Sequence, residues 1–547
     1  MKLSTQGLEN RQEWRDKGYD LPHYDREAMI AETKENPVWV HFGAGNIFRA
    51  FQANLAQKML NKGECKSGIT VVEGFDHEII EKQYRAHDNL SVLVTLKSDG
   101  SIAKTVIGSI GESCMLDPTF PEEFGRLKEI FSKDSLQMAT FTITEKGYSL
   151  VDGKGAELPA VTTDFAAGPE KPVSYIGKVT ALLYARYKAG EKPIAMVSTD
   201  NCSHNGDKLY AAVSAFANKW AENGLVEKGF ADYINDSSKV SFPWSMIDKI
   251  TPRPDASVEE ILKQDGLEDL APVVTTRGTY VAAFVNAEES EYLVIEDKFP
   301  NGRPALDKVG VIFTEKETVD KVEKMKVCTC LNPLHTSLAV YGCILGFEKI
   351  SSEMVDRDLN KLVEIVGYKE GLPVVVNPGV IDPEQFIDTV VNIRIPNPFM
   401  PDTPQRIATD TSQKLSIRFG ETIKAYNASA DLDTRDLKLI PLVFAGWLRY
   451  LMGVDDNGEA FQISDDPLLE SVQKYVADFK LGEVPAKEEI KAKLLPLLQN
   501  QQIFGLDLDS VPGCGGGSIA DTVVSYFAEE IAGKGAVRAT LHKYVNA

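Results

Sequence analysis

At 547 residues the chain is too long for a single ordinary core, and two or three domains are expected. Its 43% hydrophobic and 25% charged residues are a soluble globular composition, and a formal net charge of -21 argues against nucleic acid or an anionic membrane as main partner. No apolar signal core opens the sequence, no run of about twenty apolar residues interrupts it, and seven scattered cysteines (65, 114, 202, 328, 330, 343 and 514) fit reduced thiols, which points to the cytoplasm.

Residues 1–36 are polar with few apolar anchors and read as an N-terminal extension with a short helix. Pro37-Val-Trp-Val-His-Phe42 then predicts a strand, Gly43-Ala-Gly45-Asn46-Ile47-Phe48-Arg49 a turn, and Ala50 to Leu60 a helix. Strand, glycine turn and helix in that order are what a dinucleotide site needs: glycines let the backbone approach a pyrophosphate at the positive end of the helix. Phe48 stands at the third glycine position of the usual fingerprint, and a plain tight turn is the competing reading. A second strand, Ile69 to Glu73, ends on an acid where a ribose-binding carboxylate belongs, with Asp76 as the alternative. A carboxylate there repels a 2′-phosphate and so favours NAD over NADP.

Alternation from Leu90 to about Ser109 predicts a hairpin inserted in this domain. Met138–Thr144 and Ile194–Ser198 read as further buried strands. The latter runs into the polar cluster Thr199-Asp200-Asn201-Cys-Ser-His204-Asn205-Gly206, past a strand's carboxyl end where ligands of open α/β sheets bind. Asp248 lies in the short segment Phe242–Pro252. A charged helical run from about Glu315 to Met325 places the domain boundary near 315. That gives an extension (1–36), a Rossmann-type domain (37–315) and a mainly helical domain (316–547). In the last, Leu331–Phe347, Ser352–Val366 and Leu439–Met452 carry helical periodicity. Asn397–Asp402 reads as a loop. Arg406, Asp410 and Lys414, spaced by four, lie along one predicted helical face, where a solvated salt-bridge ladder is the plain interpretation. Gly513–Ser518 reads as a flexible helix entry.

The stretch Lys326 to His335 places an ammonium, an amide and an imidazole within ten residues. A base, a carbonyl-polarising donor and a substrate-orienting group are what oxidation of a secondary alcohol requires. Asn332 and His335 stand three apart, so on a helix they face the same way. Pro333 disfavours a helical conformation before it, so Asn332 is expected to be the N-cap. An ordinary helix start with a structural histidine is the alternative.

Together, His41 through Arg49, Asp200-Asn201, Asn205-Gly206, Phe242 through Pro252, Ile295-Glu-Asp297 with Gly302-Arg-Pro304, Lys326 through His335, and Asn397-Pro398 with Arg406 and Asp410 resemble a known family. It is the long-chain polyol dehydrogenases, comprising mannitol 2-dehydrogenase and the fructuronate and tagaturonate reductases. The resemblance runs from about residue 37 to about 450. It implies an α/β fold, with a Rossmann-type domain carrying insertions and a mainly α-helical C-terminal domain. It also implies NAD(P)(H) and no catalytic metal. Lys326 maps onto the family's general acid/base, a role suited to a pKa lowered towards ~7–8. Asn201 and Asn332 map onto the asparagines that stabilise the alkoxide, His335 onto the substrate-contacting histidine, Asp248 onto the acid near the lysine, and Arg406 onto the substrate-binding arginine. Gly43, Gly45, Asn46, Ile47, Arg49, Glu73 and Asp76 are the expected cofactor residues.

One departure stands out. The family's usual spacing from lysine to asparagine is one residue shorter than here, and one extra residue on a continuous helix rotates the lysine by about 100°. A bulge or break before Pro333 is therefore expected, with Lys324 as the backup base. The expected reaction is D-fructuronate plus NADH to D-mannonate, with mannitol 2-dehydrogenase or tagaturonate reductase as alternatives. The expected partner is a small sugar acid or polyol, with no nucleic acid or membrane, and the chain a monomer or small homo-oligomer. Two rivals are a zinc alcohol dehydrogenase using Cys328, Cys330 and His335, and a non-catalytic NAD-binding sensor.

Overall fold

Four short apolar runs, each bounded by turn residues, become the centre of a parallel sheet. In the computed structural model, which describes all 547 residues, these are β1 (Trp39–Phe42), β2 (Ile69–Glu73), β4 (Met138–Phe141) and β5 (Ile194–Ser198), with β3 (Ile110–Met115) and β6 (Val240–Ser241) completing it. The order is β3-β2-β1-β4-β5-β6, and every neighbouring pair is parallel. This is the doubly wound dinucleotide-binding order, which reverses direction between β1 and β4. The four central strands are buried at every residue because helices cover both faces, which explains their mainly apolar character. Val40, Phe42, Phe141 and Met196 meet Leu182, Phe216 and Trp220 on one side; Trp39, Val71, Met138 and Val197 meet Phe51, Leu55 and Met59 on the other.

The sheet belongs to a unit of residues 1–97 and 101–320; the second unit comprises 98–100 and 321–547. In the first, Ser91–Leu96 and Ile102–Ile107 form the expected antiparallel hairpin, extended into a four-stranded sheet by Phe284–Glu288 and by Tyr19–Asp20. That last strand corrects the reading of the N-terminal extension. Residues 1–36 hold two α-helices, Arg11–Asp16 and Arg26–Glu35, and bury Leu3, Trp14, Tyr19 and Leu21. Their apolar anchors are few and isolated, so no periodicity announces them, yet each is inserted into the fold. The Trp14 indole N–H also donates to the Gly7 carbonyl at 2.9 Å.

The second unit is helical. Helix Asn332–Leu345 and helix Leu439–Tyr450, the latter buried at every residue, form its centre with helix Ile519–Glu530. Residues 453–547 belong to the same core through Val472, Leu494, Phe504, Phe527 and Leu541. The helical stretch expected at Ser352–Val366 is an α-helix over Arg357–Glu364 that continues as a π turn, Ile365–Gly371. Further π turns occupy Lys326–Cys330, Val390–Arg394 and Ser416–Gly420 here, and Phe48–Gln52 and Ile80–Tyr84 in the first unit. Helix Pro404–Ala408 stops before Asp410, which sits in the left-handed region at φ 55°, so Arg406, Asp410 and Lys414 share no helical face. Gly513–Ser518 is a helix entry closed on itself, with the Gly513 N–H on the Gly517 carbonyl and Ser518 forming a capping box with Asp521. No helix is long and apolar enough to cross a membrane.

Candidate active site

The glycine turn after β1 is built from both ends. Gly43 has φ 108°, and a Cβ there would lie 2.2 Å from the Thr142 carbonyl oxygen, so only glycine fits. Gly45 is exposed and has open space where a Cβ would point. Between them the Ala44 N–H donates to Glu73 (2.9 Å), and the Ala44 carbonyl accepts from the Tyr84 hydroxyl (2.9 Å). The other Glu73 oxygen accepts from the Phe75 and Asp76 N–H groups at 2.7 and 3.1 Å. The expected ribose acid is therefore buried and shapes the turn. Asp76 is buried too, accepting from the Thr275 hydroxyl at 2.6 Å. Asn46 and Ile47 are half-buried in the first helical turn. Arg49 departs from the cofactor contact expected of it. It is fully buried, donating to the Ala282 carbonyl (2.7 Å), Ser91 Oγ (3.2 Å) and Asn46 Oδ1 (2.9 Å), and so ties this helix to the neighbouring sheet.

At the carboxyl end of β5, Asp200 accepts from the Ile143 and Thr144 N–H groups (3.0 and 2.9 Å) and from the Tyr148 hydroxyl (2.5 Å). Burial raises its pKa, and these donors oppose the shift. Asn205 joins β5 to the strand Ser245–Asp248. Its amide donates to the carbonyls of Ser198, Asp200 and Ser245 and to Ser245 Oγ, and its oxygen accepts from the Ser245 N–H. Gly206 is required because a Cβ would fall 2.5 Å from the Phe242 carbonyl oxygen. Asn201 is exposed, as are Ser203 and His204, whereas Asn205 and Gly206 are buried. Asp248 is buried at the end of its strand, opposite Tyr292.

In the second unit, Lys326 opens the π turn and is 4% exposed. The Leu331 N–H reaches back to the Lys326 carbonyl at 3.1 Å, and Leu331 then leaves helical geometry at φ -132°, ψ -61°. The anticipated break is therefore present, and it absorbs the extra residue. Leu331 holds the N-cap position expected of Asn332, which is instead the first residue of the next helix, with Pro333 behind it. Asn332 and His335 share that first turn, both half-buried, neither side chain hydrogen-bonded to protein. Burial drives the His335 pKa down to about 4; Asp402 opposes this, and Arg394, Arg418 and Arg406 reinforce it. The imidazole is neutral near pH 7.

Arg406 is largely exposed and paired with Asp402. Sequence reasoning singled out neither Arg394 nor Arg418 as a site residue. Both lie on π turns, Val390–Arg394 and Ser416–Gly420, and the second packs on the turn of Lys326. Leu415 and Phe419 on either side of Arg418 are buried, Ile417 is exposed, and the arginine itself is half-buried. Cys330, a candidate metal thiolate, is buried with its thiol on the Pro383 carbonyl at 3.9 Å, and burial pushes its pKa up to about 12.

Residues 38–308 match the mannitol dehydrogenase Rossmann domain and residues 318–517 the mannitol dehydrogenase C-terminal domain. A D-mannonate oxidoreductase of Thermotoga maritima is 50% identical over 547 residues, covering 100% of this chain and 99% of that protein. A mannitol 2-dehydrogenase of Pyricularia oryzae is 27% identical, covering 100% and 99%. Among solved structures, the ternary complex of Pseudomonas fluorescens mannitol 2-dehydrogenase with NAD and D-mannitol aligns with TM-score 0.66 at 28% identity, covering 100% of both chains. A substrate-free D-sorbitol dehydrogenase aligns with TM-score 0.72 at 26% identity, covering 89% and 97%. The chain belongs to the mannitol dehydrogenase family of oxidoreductases.

Proposed function

We propose that this protein interconverts a keto sugar acid and its hydroxy acid, reducing D-fructuronate with NADH to D-mannonate. The observation that carries this reading is Arg418, whose guanidinium is hydrogen-bonded to the Thr336 hydroxyl beside His335 and paired with no carboxylate, an arrangement suited to an anionic substrate. The 50% identity to a D-mannonate oxidoreductase supports it.

The residues present fit a dinucleotide. Gly43 turns the chain, Gly45 leaves its outer face open, and Asn46 and Ile47 start the helix whose N–H groups favour a phosphate. NADH, when bound, supplies the hydride to the substrate's keto carbon. Lys326 delivers the proton to the oxygen that becomes the alcohol and removes it in the reverse direction. The Asn332 amide donates to that oxygen as negative charge develops, such a donor contributing about 2.7–4 kcal/mol in comparable sites. His335, neutral, orients substrate hydroxyls.

Steady-state NADH oxidation with fructuronate, tagaturonate and fructose tests the assignment. A marked preference for fructuronate is expected. Preference for fructose would overturn it in favour of mannitol 2-dehydrogenase activity, the reading supported by the D-mannitol complex of the Pseudomonas fluorescens relative.

A further inference from the structure

Three cationic side chains bear on His335, and they are not equivalent. Arg406 already has a carboxylate partner, Asp402, and its side chain is 62% exposed. Arg418 is different. Its side-chain hydrogen bond goes from Nη1 to the neutral hydroxyl of Thr336, the residue after His335, and no carboxylate pairs with it. Thr336 in turn donates to the Asn332 carbonyl at 3.1 Å, so the guanidinium is anchored on the helical turn that carries Asn332 and His335. A guanidinium has five N–H donors in a planar fork. Arg418 is half-buried, and with one donor spent on a hydroxyl the rest of the fork is left for an anion or for water. Burial is the whole cause of its lowered pKa, about 10. Lys414, four residues earlier, adds a second positive charge. Its ammonium is tied to the carbonyls of Thr409 and Ile407 rather than to an acid.

We propose that Arg418 is the receptor for the substrate's carboxylate and sets the preference for a sugar acid over an uncharged ketose. This rests on the keto sugar acid reading above and names the group that accomplishes it. A carboxylate docked on the fork forms two parallel N–H···O bonds. That places the anion beside the first turn of helix Asn332–Leu345, the positive end of its dipole. Placement on a π turn gives the geometry a local cause. Ser416–Gly420 is a π turn, holding one residue more than an α-helical turn, and Gly420 has no room for a side chain, since a Cβ would lie 2.2 Å from the Phe504 carbonyl oxygen. The turn is wedged there, and Arg418 is presented from its middle.

The test compares wild type, Arg418→Met and Arg418→Lys by NADH oxidation with D-fructuronate and D-fructose. In Arg418→Met the ratio of kcat/KM for the uronate to that for the ketose is expected to fall about 100-fold, mainly through KM of the uronate. Arg418→Lys, a point charge without the fork, is expected to lose about 10-fold of that ratio. A ratio within threefold of wild type in both variants, or equal loss on both substrates, overturns the proposal. Should Arg418→Met fail to fold by circular dichroism, Arg418→Lys decides by the same criterion. Wild type preferring fructose instead overturns the sugar acid reading itself, whereas wild type preferring fructuronate with unaltered variant ratios overturns Arg418 alone.

Discussion

The Leu331 N–H donates to the Lys326 carbonyl five residues back, at 3.1 Å, closing a π turn where an α-helix would close one residue sooner. That single hydrogen bond shows how the long Lys326-to-Asn332 spacing is accommodated in the backbone. An extra residue taken up inside a π turn leaves the flanking helices close to their original register, whereas the same residue in a continuous α-helix rotates one flank by about 100°.

Removing Cys328, which is only partly buried, should therefore relax the turn to α-helix and keep turnover within about tenfold of wild type. Inserting an alanine after Cys328 should rotate Lys326 away and lower kcat at least ~100-fold, in the range of Lys326→Ala, for which a loss of ~10²–10⁴ is expected. Steady-state kinetics with circular dichroism separate the cases. Deletion and insertion variants with equal activity would remove the role assigned to Lys326.

Gly43 and Gly45 should respond oppositely. Gly43→Ala forces a Cβ towards the Thr142 carbonyl in a left-handed residue, and a loss of about 1–3 kcal/mol of stability is expected. Gly45→Val meets open space, so its melting temperature should hold while KM for NADH rises at least ~10-fold as the wall of the phosphate approach thickens. Thermal unfolding and cofactor titration read these separately. A Gly45→Val enzyme with unaltered KM for NADH would remove the cofactor role of this turn.

Three buried acids make the second unit sensitive to alkali. Burial lifts the pKa of Glu353 to about 9, of Glu530 to about 8 and of Glu370 to about 7, against an ordinary value of 4.5. Glu370 accepts from the Lys438, Leu439 and Ile440 N–H groups, Glu530 from the Tyr341 hydroxyl, while neither Glu353 oxygen has a partner. Each is raised in the folded state, so its stabilising contribution is complete below pH 4.5 and disappears as pH climbs through its folded pKa. The melting temperature should fall between pH 6 and pH 9.5, and Glu353→Gln should flatten the upper part of that fall. Parallel curves for the two proteins would contradict this.

Excess chelator should leave turnover unaltered, because Cys330 is held as a buried thiol and cannot readily serve as a thiolate ligand. Loss of activity reversed by added zinc would instead favour a metal-assisted reaction.

Much of the nucleotide unit could be read locally. β1, β2, β4 and β5 are mainly apolar runs ended by turn residues, and Gly43 and Gly45 follow the first of them, so strand, turn and helix followed from nearest neighbours in the chain. The order Lys326, Asn332, His335 was likewise legible, and so was the need for a break, because helical phase is arithmetic on residue number. Long-range packing decided the rest. The carboxylate of Glu73 went to the backbone of the turn and Arg49 to Ser91 and Ala282, partners 42 and 233 residues away that no window can see. Arg418 was visible only as the first residue of the segment Arg418–Ile423, which resembles the fructuronate reductases, with no role attached to it. Its position against Thr336, 82 residues earlier, and its lack of an acidic partner exist only once the π turn of Ser416–Gly420 is folded onto that of Lys326. Local chemistry thus determined what each element is, and burial, which costs a charge its water, decided which of its charges are left for a substrate.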